Sequence, residues 1–190
     1  MIVKVCGITR REDAEAAADA SADAIGFIFY KPSPRYVTPE RARELCQGLK
    51  LWKVGVFVNE DPEYVHWAMK EGELDVAQIY GASQVDPRTL RIWQAVRIPE
   101  HGGIALSTGS CEALFLDSSG NGVSFDWSIA RAHGKKIMIA GGLNDSNVRE
   151  AIRIAQPWGV DASSGLESAP GIKDHEKVRR FIAAAREIPT

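Results

Sequence analysis

The sequence predicts an α/β protein, a single (β/α)8 barrel domain over residues 1–190, and three observations lead to this prediction. Eight short apolar runs recur along the chain, and each has the length of a buried strand. The runs start about 16 to 30 residues apart, which is the spacing of a strand followed by a crossover helix. Amphipathic segments with a helical period lie between several of the runs.

The predicted strands fill the chain from end to end. They are, in order, Ile2–Cys6, Ala24–Phe29, Val54–Val58, Val76–Ile79, Ile92–Val96, Ala113–Leu116, Ile137–Ala140 and Val160–Ala162. A chain of 190 residues that carries eight strand–helix units lies near the lower size limit of such barrels.

Helix starts are marked by an oxygen-bearing residue directly before a proline, at Thr38-Pro39, Asp61-Pro62 and Asp86-Pro87. A further helix is predicted to open at Asn144-Asp145-Ser146. The apolar faces at helical spacing are Ala42, Leu45, Cys46 and Leu49, then Val148, Ala151 and Ile152, then Val178, Phe181, Ile182 and Ala185.

Of the eight strand–helix units, the fifth has the weakest helix pattern. Three glycines in Pro99–Ser110 argue against a full helix there, so the barrel is predicted with an eroded fifth helix. If that unit is lost, an open doubly wound sheet with fewer strands is the alternative fold.

Composition and charge exclude several classes of function. A net charge of −2 offers no footprint for nucleic acid or an anionic membrane, and no apolar run approaches the ~20 residues of a membrane span. Cys6, Cys46 and Cys111 are widely spaced and odd in number, so neither a disulfide framework nor a zinc site is expected. The four histidines show no ligand spacing, so no metal site is predicted. With no signal peptide pattern at the start, the expected location is the cytoplasm.

The first predicted strand ends at Cys6, directly before Gly7. Ligands meet parallel α/β folds at the carboxyl ends of the strands, so a thiol at this position is placed for chemistry. The alternative is that Cys6 is a packed core residue, because free cysteine is often simply buried.

In the loop after the second strand, Arg35 follows Pro32 and Pro34 and precedes Tyr36. The guanidinium is a planar fork that suits bidentate binding of a carboxylate, and the prolines lower the entropic cost of holding it in place. The alternative is an ordinary solvated loop arginine.

Asp126 follows the sixth strand and falls at or near the next helix start. It is either a helix N-cap or, at the mouth of a barrel, a general acid with a raised pKa. The sequence alone leaves both roles open.

Two small-residue segments follow the seventh and eighth strands, Ala140–Asn144 and Asp161–Gly165. Their backbone N–H groups can approach an anion closely, and in (β/α)8 enzymes these two loops often bind phosphate. Together they predict a phosphate site.

With these segments in place, the whole chain resembles the phosphoribosylanthranilate isomerase family of tryptophan biosynthesis, whose members are (β/α)8 TIM barrels. The matching motifs are Lys4-Val5-Cys6-Gly7-Ile8-Thr9, Asp23-Ala24-Ile25-Gly26-Phe27, Ser33-Pro34-Arg35, Val56-Phe57-Val58-Asn59, Phe125-Asp126-Trp127, Ala140-Gly141-Gly142-Leu143-Asn144, Val160-Asp161-Ala162-Ser163-Ser164-Gly165-Leu166-Glu167 and Pro170-Gly171-Ile172-Lys173-Asp174.

The resemblance implies an Amadori rearrangement of N-(5'-phosphoribosyl)anthranilate to its aminoketose, without a cofactor. It implies that Cys6 is the general base, that Asp126 is the general acid and that Arg35 holds the substrate carboxylate, while Asp161 lines the site. The implied phosphate-binding residues are Gly141, Gly142, Ser163, Ser164 and Gly165. The expected partner is a small sugar phosphate, and the chain is expected to be a monomer or homodimer.

Three stretches depart from the family pattern. Tyr80 stands where the family usually has histidine, the glycine-rich loop before Asp126 reads Ser119-Gly120-Asn121-Gly122, and Pro99–Cys111 is abbreviated. These departures bear on rate and loop closure more than on reaction type.

Two other functions compete with this one. The related isomerase of histidine biosynthesis, or a bifunctional relative, uses aspartate at the end of the first strand, and Cys6 argues against both. A barrel that binds a sugar phosphate without turnover fits Tyr80 and the trimmed loops, but Cys6, Arg35 and Asp126 together argue against it.

Overall fold

The fold is a closed barrel of eight parallel strands in chain order, in which the first strand pairs with both the second and the eighth. The computed structural model describes residues 1–81, 85–99, 110–118, 125–132 and 136–187. The (β/α)8 prediction is confirmed, and the open sheet is excluded because the β1–β8 pairing closes the ring.

The strands lie within a few residues of the predicted runs. They are β1 Ile2–Cys6, β2 Ala24–Ile28, β3 Trp52–Val58, β4 Val76–Tyr80, β5 Ile92–Ile98, β6 Ala113–Ser118, β7 Ile137–Ile139 and β8 Gly159–Ala162. The α-helices are α1 Arg11–Asp19, α2 Pro39–Cys46, α3 Pro62–Glu71, α4 Val148–Ala155 and α5 His175–Arg186. Short 3-10 helices span Trp127–Ala132 and Ser164–Leu166, and a small hairpin pairs β9 Glu167–Ala169 with β10 Ile172–Lys173.

Side-chain caps explain where several helices begin. Thr38 accepts a hydrogen bond from the backbone N–H of Arg41, and Asp61 accepts one from that of Glu63. Both caps precede a proline, as predicted, because proline fits the first helical position and its missing N–H is not needed there. Within the described ranges, no helix is long and apolar enough to cross a membrane.

Two predicted helix starts differ from the structure. Asp86-Pro87 opens a turn rather than a helix, and Asp86 accepts hydrogen bonds from Arg88. The prediction was wrong because β5 begins at Ile92, too soon after the cap for a stable helix to form. Helix α4 begins at Val148, since a turn occupies residues 145–147. The predicted eroded fifth helix falls largely on residues 100–109, outside the described residues.

Alternation along the strands divides the buried residues into two layers. On β1, Val3 and Val5 face outward into the core between sheet and helices, whereas Lys4 and Cys6 face the barrel interior. The interior near the amino ends of the strands is closed by three tryptophans, Trp52, Trp93 and Trp158, whose ring centroids lie 5.8–6.4 Å apart. We call this aromatic cluster the floor and the opposite, carboxyl-terminal end the mouth.

Candidate active site

A cavity of about 360 Å³ opens at the mouth of the barrel. Eight of the nine predicted site residues line it: Cys6, Arg35, Gly141, Gly142, Asp161, Ser163, Ser164 and Gly165. They meet because the carboxyl ends of all eight parallel strands open at the same end of the barrel.

Cys6 is buried at the end of β1, beside an ion pair inside the barrel. The Nζ atom of Lys4 lies 2.9 Å from Oδ1 of Asp161, and the lysine side chain is fully buried. Burial raises the pKa of the Cys6 thiol, and the Lys4 ammonium partly offsets this by stabilising the thiolate. Burial also raises the pKa of Asp161, which Lys4 again opposes.

Gly26 on β2 provides the space for this arrangement. A Cβ atom at position 26 would lie 2.7 Å from Sγ of Cys6 and 3.1 Å from Nζ of Lys4. Glycine is therefore needed there because the side chains of Cys6 and Lys4 pack directly against the backbone of β2.

Arg35 is held by a second group of buried charges. Its Nε and Nη2 atoms each donate to Glu167 at 2.7 Å, a bidentate pair, and Nζ of Lys173 donates to the same carboxylate at 2.8 Å. The two cations lower the pKa of Glu167 against the effect of burial. Because one carboxylate serves two cations, the group carries a net positive charge facing the cavity.

Tyr80, the last residue of β4, reaches past β5 to a residue of β6. Its hydroxyl donates to Oδ2 of Asp117 at 2.8 Å and accepts a hydrogen bond from Nε2 of Gln78 at 3.2 Å. Burial and the nearby Asp161 carboxylate raise the pKa of Asp117, while the Tyr80 hydrogen bond opposes the shift. Burial and the Asp117 carboxylate raise the pKa of Tyr80, so it is neutral near pH 7.

The loops after β7 and β8 form the opposite wall of the cavity. Gly141 and Gly142 have φ angles of +81° and +68°, and a Cβ at Gly141 would lie 2.2 Å from Oγ of Ser118. Two buried polar atoms of the lining, Oγ of Ser163 and Oε1 of Gln78, have no hydrogen-bond partner among the described residues. Buried polar atoms are normally paired, so these two are available to a ligand.

A family model described as N-(5'phosphoribosyl)anthranilate (PRA) isomerase matches residues 3–184. The chain belongs to this family. It is therefore an enzyme, an isomerase of tryptophan biosynthesis. An N-(5'-phosphoribosyl)anthranilate isomerase from Solibacter usitatus is 45% identical over 196 residues, covering 98% of both chains. Another, from Rubrobacter xylanophilus, is 45% identical over 202 residues, covering 97% of this chain and 98% of that one.

Solved structures of PRA isomerases share the fold. A structure of monomers of the dimeric enzyme from Thermotoga maritima has a TM-score of 0.85 and 34% identity, covering 99% of this chain and all of that one. A complex of a PRA isomerase with reduced 1-(o-carboxyphenylamino)-1-deoxyribulose 5-phosphate has a TM-score of 0.84 at 34% identity, with the same coverage.

Asp126 lies apart from the other predicted residues of this PRA isomerase family member. It is exposed, it is not among the residues that line the cavity, and it accepts a hydrogen bond at 2.9 Å from the backbone N–H of Ser128. The contact with Ser128 lowers the pKa of Asp126. In this arrangement Asp126 caps the 3-10 helix Trp127–Ala132, the first of its two expected roles.

Sequence reasoning missed several polar residues at the mouth: Lys4, Gln78, Arg97, Asp117, Glu167 and Lys173. A lysine between two valines in a buried strand was the one local signal, because an inward charge there needs a partner. The contacts of the others depend on strand order and register, which spacing along the chain does not reveal.

Proposed function

We propose that this family member converts N-(5'-phosphoribosyl)anthranilate into 1-(2-carboxyphenylamino)-1-deoxyribulose 5-phosphate, with Cys6 as general base and Asp126 as general acid. The observation that carries the proposal is the gathering of Cys6, Arg35 and both small-residue loops around one cavity. The relatives named above belong to the same family, and one solved structure of a PRA isomerase contains a reduced form of this product.

The phosphate would bind the loops after β7 and β8. Backbone N–H groups of Gly142, Ser164 and Gly165, with Gly141 and Ser163 beside them, can surround an anion at short range. The unpartnered Oγ of Ser163 supports this assignment, because it can donate to a phosphate oxygen. Anchoring the phosphate fixes the sugar over the barrel axis.

Arg35 would take the substrate carboxylate with the edge of its guanidinium that Glu167 does not use. Glu167 occupies Nε and one hydrogen of Nη2, which leaves the Nη1 side. Because Glu167 and Lys173 hold the side chain in place, little further entropy is lost when the carboxylate binds.

The chemistry then consists of two proton transfers. Asp126 gives a proton to the furanose ring oxygen, and the ring opens to a protonated Schiff base. Cys6 as thiolate removes the proton from C2', which gives an enolamine that tautomerises to the aminoketose. Asp161 would lie beside the reacting carbons and, with Lys4, set the charge around the thiolate.

Each catalytic group must change protonation state for this role. A bound substrate, which carries both a phosphate and a carboxylate, would raise the pKa of Asp126 by repulsion and by removing water, so that the carboxyl group carries a proton. Because burial raises the pKa of Cys6 above its ordinary value of about 8.5, the thiolate fraction grows with pH across the neutral range. Because kcat reports the enzyme–substrate complex, in which Asp126 is protonated, we expect kcat to rise with pH between about 6 and 8.

The test is loss of anthranilate fluorescence from freshly made N-(5'-phosphoribosyl)anthranilate. Cys6→Ser and Asp126→Asn should each lower turnover by about 10²- to 10⁴-fold while binding of the reduced product stays within a few-fold. Cys46→Ala, which removes the other buried thiol on helix α2, is the matched control and should retain turnover.

Asp117→Asn tests whether Asp117, which lines the cavity, is the general acid in place of Asp126. If Asp117→Asn loses turnover and Asp126→Asn does not, the general acid is Asp117 and our assignment is wrong. If the wild-type protein shows no saturable decay at all, the proposed activity itself is wrong.

A further inference from the structure

Arg97 is a cation at the mouth that the reaction scheme does not use. It lies near the end of β5, lines the cavity and is exposed. Its guanidinium carbon lies 5.7 Å from the ring centroid of Tyr80, and the Tyr80 ring is fixed by the hydrogen bonds of its hydroxyl. A cation on a fixed aromatic face is oriented without a carboxylate partner.

The other cations at the mouth are each committed to a carboxylate. Lys4 is paired with Asp161, and Arg35 and Lys173 share Glu167. Arg97 forms no ion pair within the described ranges of the chain, although it is close enough to Asp117 to oppose the rise of that residue's pKa. The Asp117 carboxylate instead accepts the Tyr80 hydroxyl.

The charge balance at the mouth depends on Arg97. In the described part of the chain, the cavity wall and the side chains directly behind it hold four cations, Lys4, Arg35, Arg97 and Lys173, against three carboxylates, Asp117, Asp161 and Glu167. Without Arg97 the two signs would be equal. Arg97 thus supplies the positive excess that an anionic ligand would meet.

Strand order places Arg97 beside the end of the substrate that lies farthest from the phosphate loops. Opposite β7 and β8 in the ring are β3, which lines the cavity with Val56 and Val58, and β4, which lines it with Gln78 and Tyr80. The two valines and the tyrosine ring form a surface that suits an aromatic ring. Arg35, after β2, borders this surface on one side, and Arg97, on β5, borders it on the other. A ring seated there would present its carboxylate within the span of the two arginines.

We infer that Arg97, held on the face of Tyr80, is a second arginine that binds the carboxylate of the substrate and so selects carboxylated arylamines. The inference rests on the proposed function for the identity of the substrate. It adds a specificity residue on the wall of the cavity opposite Cys6.

Two ligands that differ only in the carboxylate test this role. They are the reduced product, reduced 1-(o-carboxyphenylamino)-1-deoxyribulose 5-phosphate, and the same molecule with an unsubstituted phenyl ring. Arg97→Gln should weaken binding of the carboxylated ligand by about 10- to 100-fold, the worth of a charged hydrogen bond, and change binding of the phenyl ligand less than about twofold. In turnover, KM should rise by a similar factor while kcat changes little.

Arg91→Gln is the matched control. Arg91 also stacks on an aromatic ring, 4.4 Å from Trp52, but at the floor of the barrel, where it pairs with Glu112. It should leave both affinities unchanged. Tyr80→Phe keeps the ring under Arg97 and should retain the preference for the carboxylated ligand, whereas Tyr80→Leu should reduce it.

The outcomes distinguish failure of the role of Arg97 from failure of the proposed function. An equal loss for both ligands, or no loss for either, overturns the role of Arg97. If the wild-type protein binds both ligands with the expected preference but does not convert N-(5'-phosphoribosyl)anthranilate, the proposed function fails and the role of Arg97 in binding stands.

Discussion

The two ends of the barrel interior are lined by side chains of opposite character. The floor is aromatic, with Trp52, Trp93 and Trp158 in mutual contact and Phe115 stacked 6.2 Å from Trp93. The mouth is polar and charged, and much of its hydrogen bonding joins groups that are buried. Lys4 belongs to both regions, because its ammonium pairs with Asp161 and lies 5.1 Å from the Phe115 ring.

This difference places the aromatic packing and the candidate active site at opposite ends of the barrel. Buried aromatic rings contribute free energy of folding without constraining what the mouth can do. The mouth holds buried charges that are costly to desolvate, and this cost is offset in part by the ion pairs among them. Variants at either end should therefore separate stability from function.

The largest effect is expected at the floor. Trp93→Ala should lower the free energy of unfolding by about 3–5 kcal/mol, because a fully buried ring is removed and a cavity is left. Trp93→Phe should cost much less, since it keeps most of the apolar contact and removes an indole N–H that has no partner among the described residues. Urea unfolding measures both values. Equal losses would mean that packing at the floor does not set the stability.

A smaller loss is expected where the two regions meet. Lys4→Met should lower the free energy of unfolding by about 3 kcal/mol at neutral pH, because it leaves Asp161 buried without a partner. Without Lys4 the pKa of Asp161 rises further, so the folded state binds a proton more tightly than the unfolded state. Stability should then fall as pH increases above about 4, the ordinary pKa of aspartate.

The double variant Lys4→Met/Asp161→Asn checks this explanation, because it removes the unpaired charge. Most of the lost stability should return, and the added pH dependence should vanish. A double variant as unstable as Lys4→Met alone would show that packing around Lys4, rather than the charge of Asp161, causes the loss.

The smallest effect is expected at the mouth, for Asp117→Asn. Because the folded state raises the pKa of Asp117, this carboxyl group favours folding at low pH and opposes it once ionised. The variant should be as stable as the wild type or slightly more so at pH 7, and its stability should decline less as pH rises from about 4. Its amide oxygen still accepts the Tyr80 hydroxyl. Thermal unfolding between pH 4 and 8 measures the difference, and a steeper decline would contradict it.

Local patterns predicted the elements well and the contacts poorly. The eight strands are visible as apolar runs because a strand buried on both faces needs apolar residues throughout. The helix expected after Asp86 was wrong because a cap and a proline start a turn equally well when a strand follows closely. The assignment of all 190 residues to one domain, the cytoplasmic location and the choice between monomer and homodimer stay predictions.

At the site, position along a strand predicted which residues meet but not how they are paired. Cys6 was identified from its place at a strand end, Arg35 from its proline-framed loop after a strand and Asp161 from the family resemblance, and all three line the cavity. Lys4 contacts Asp161 across 157 residues of sequence, and Arg35 contacts Glu167 across 132. Such pairs follow from closure of the ring, which no local pattern encodes. The role of Asp126 as general acid stays a prediction.

Closure of the ring also has a consequence during synthesis, because the two strands that close it are far apart in the sequence. Strand β1 is synthesised before its partner β8, which ends at residue 162, so one edge of β1 is unpaired until the intervening chain has been made. At 5–20 residues per second, translation of that chain takes roughly 8 to 30 s. An open edge invites pairing with other chains, and an inward-pointing charge is one way to discourage it. Lys4 is such an inward-pointing charge, and its partner Asp161 is added only with β8.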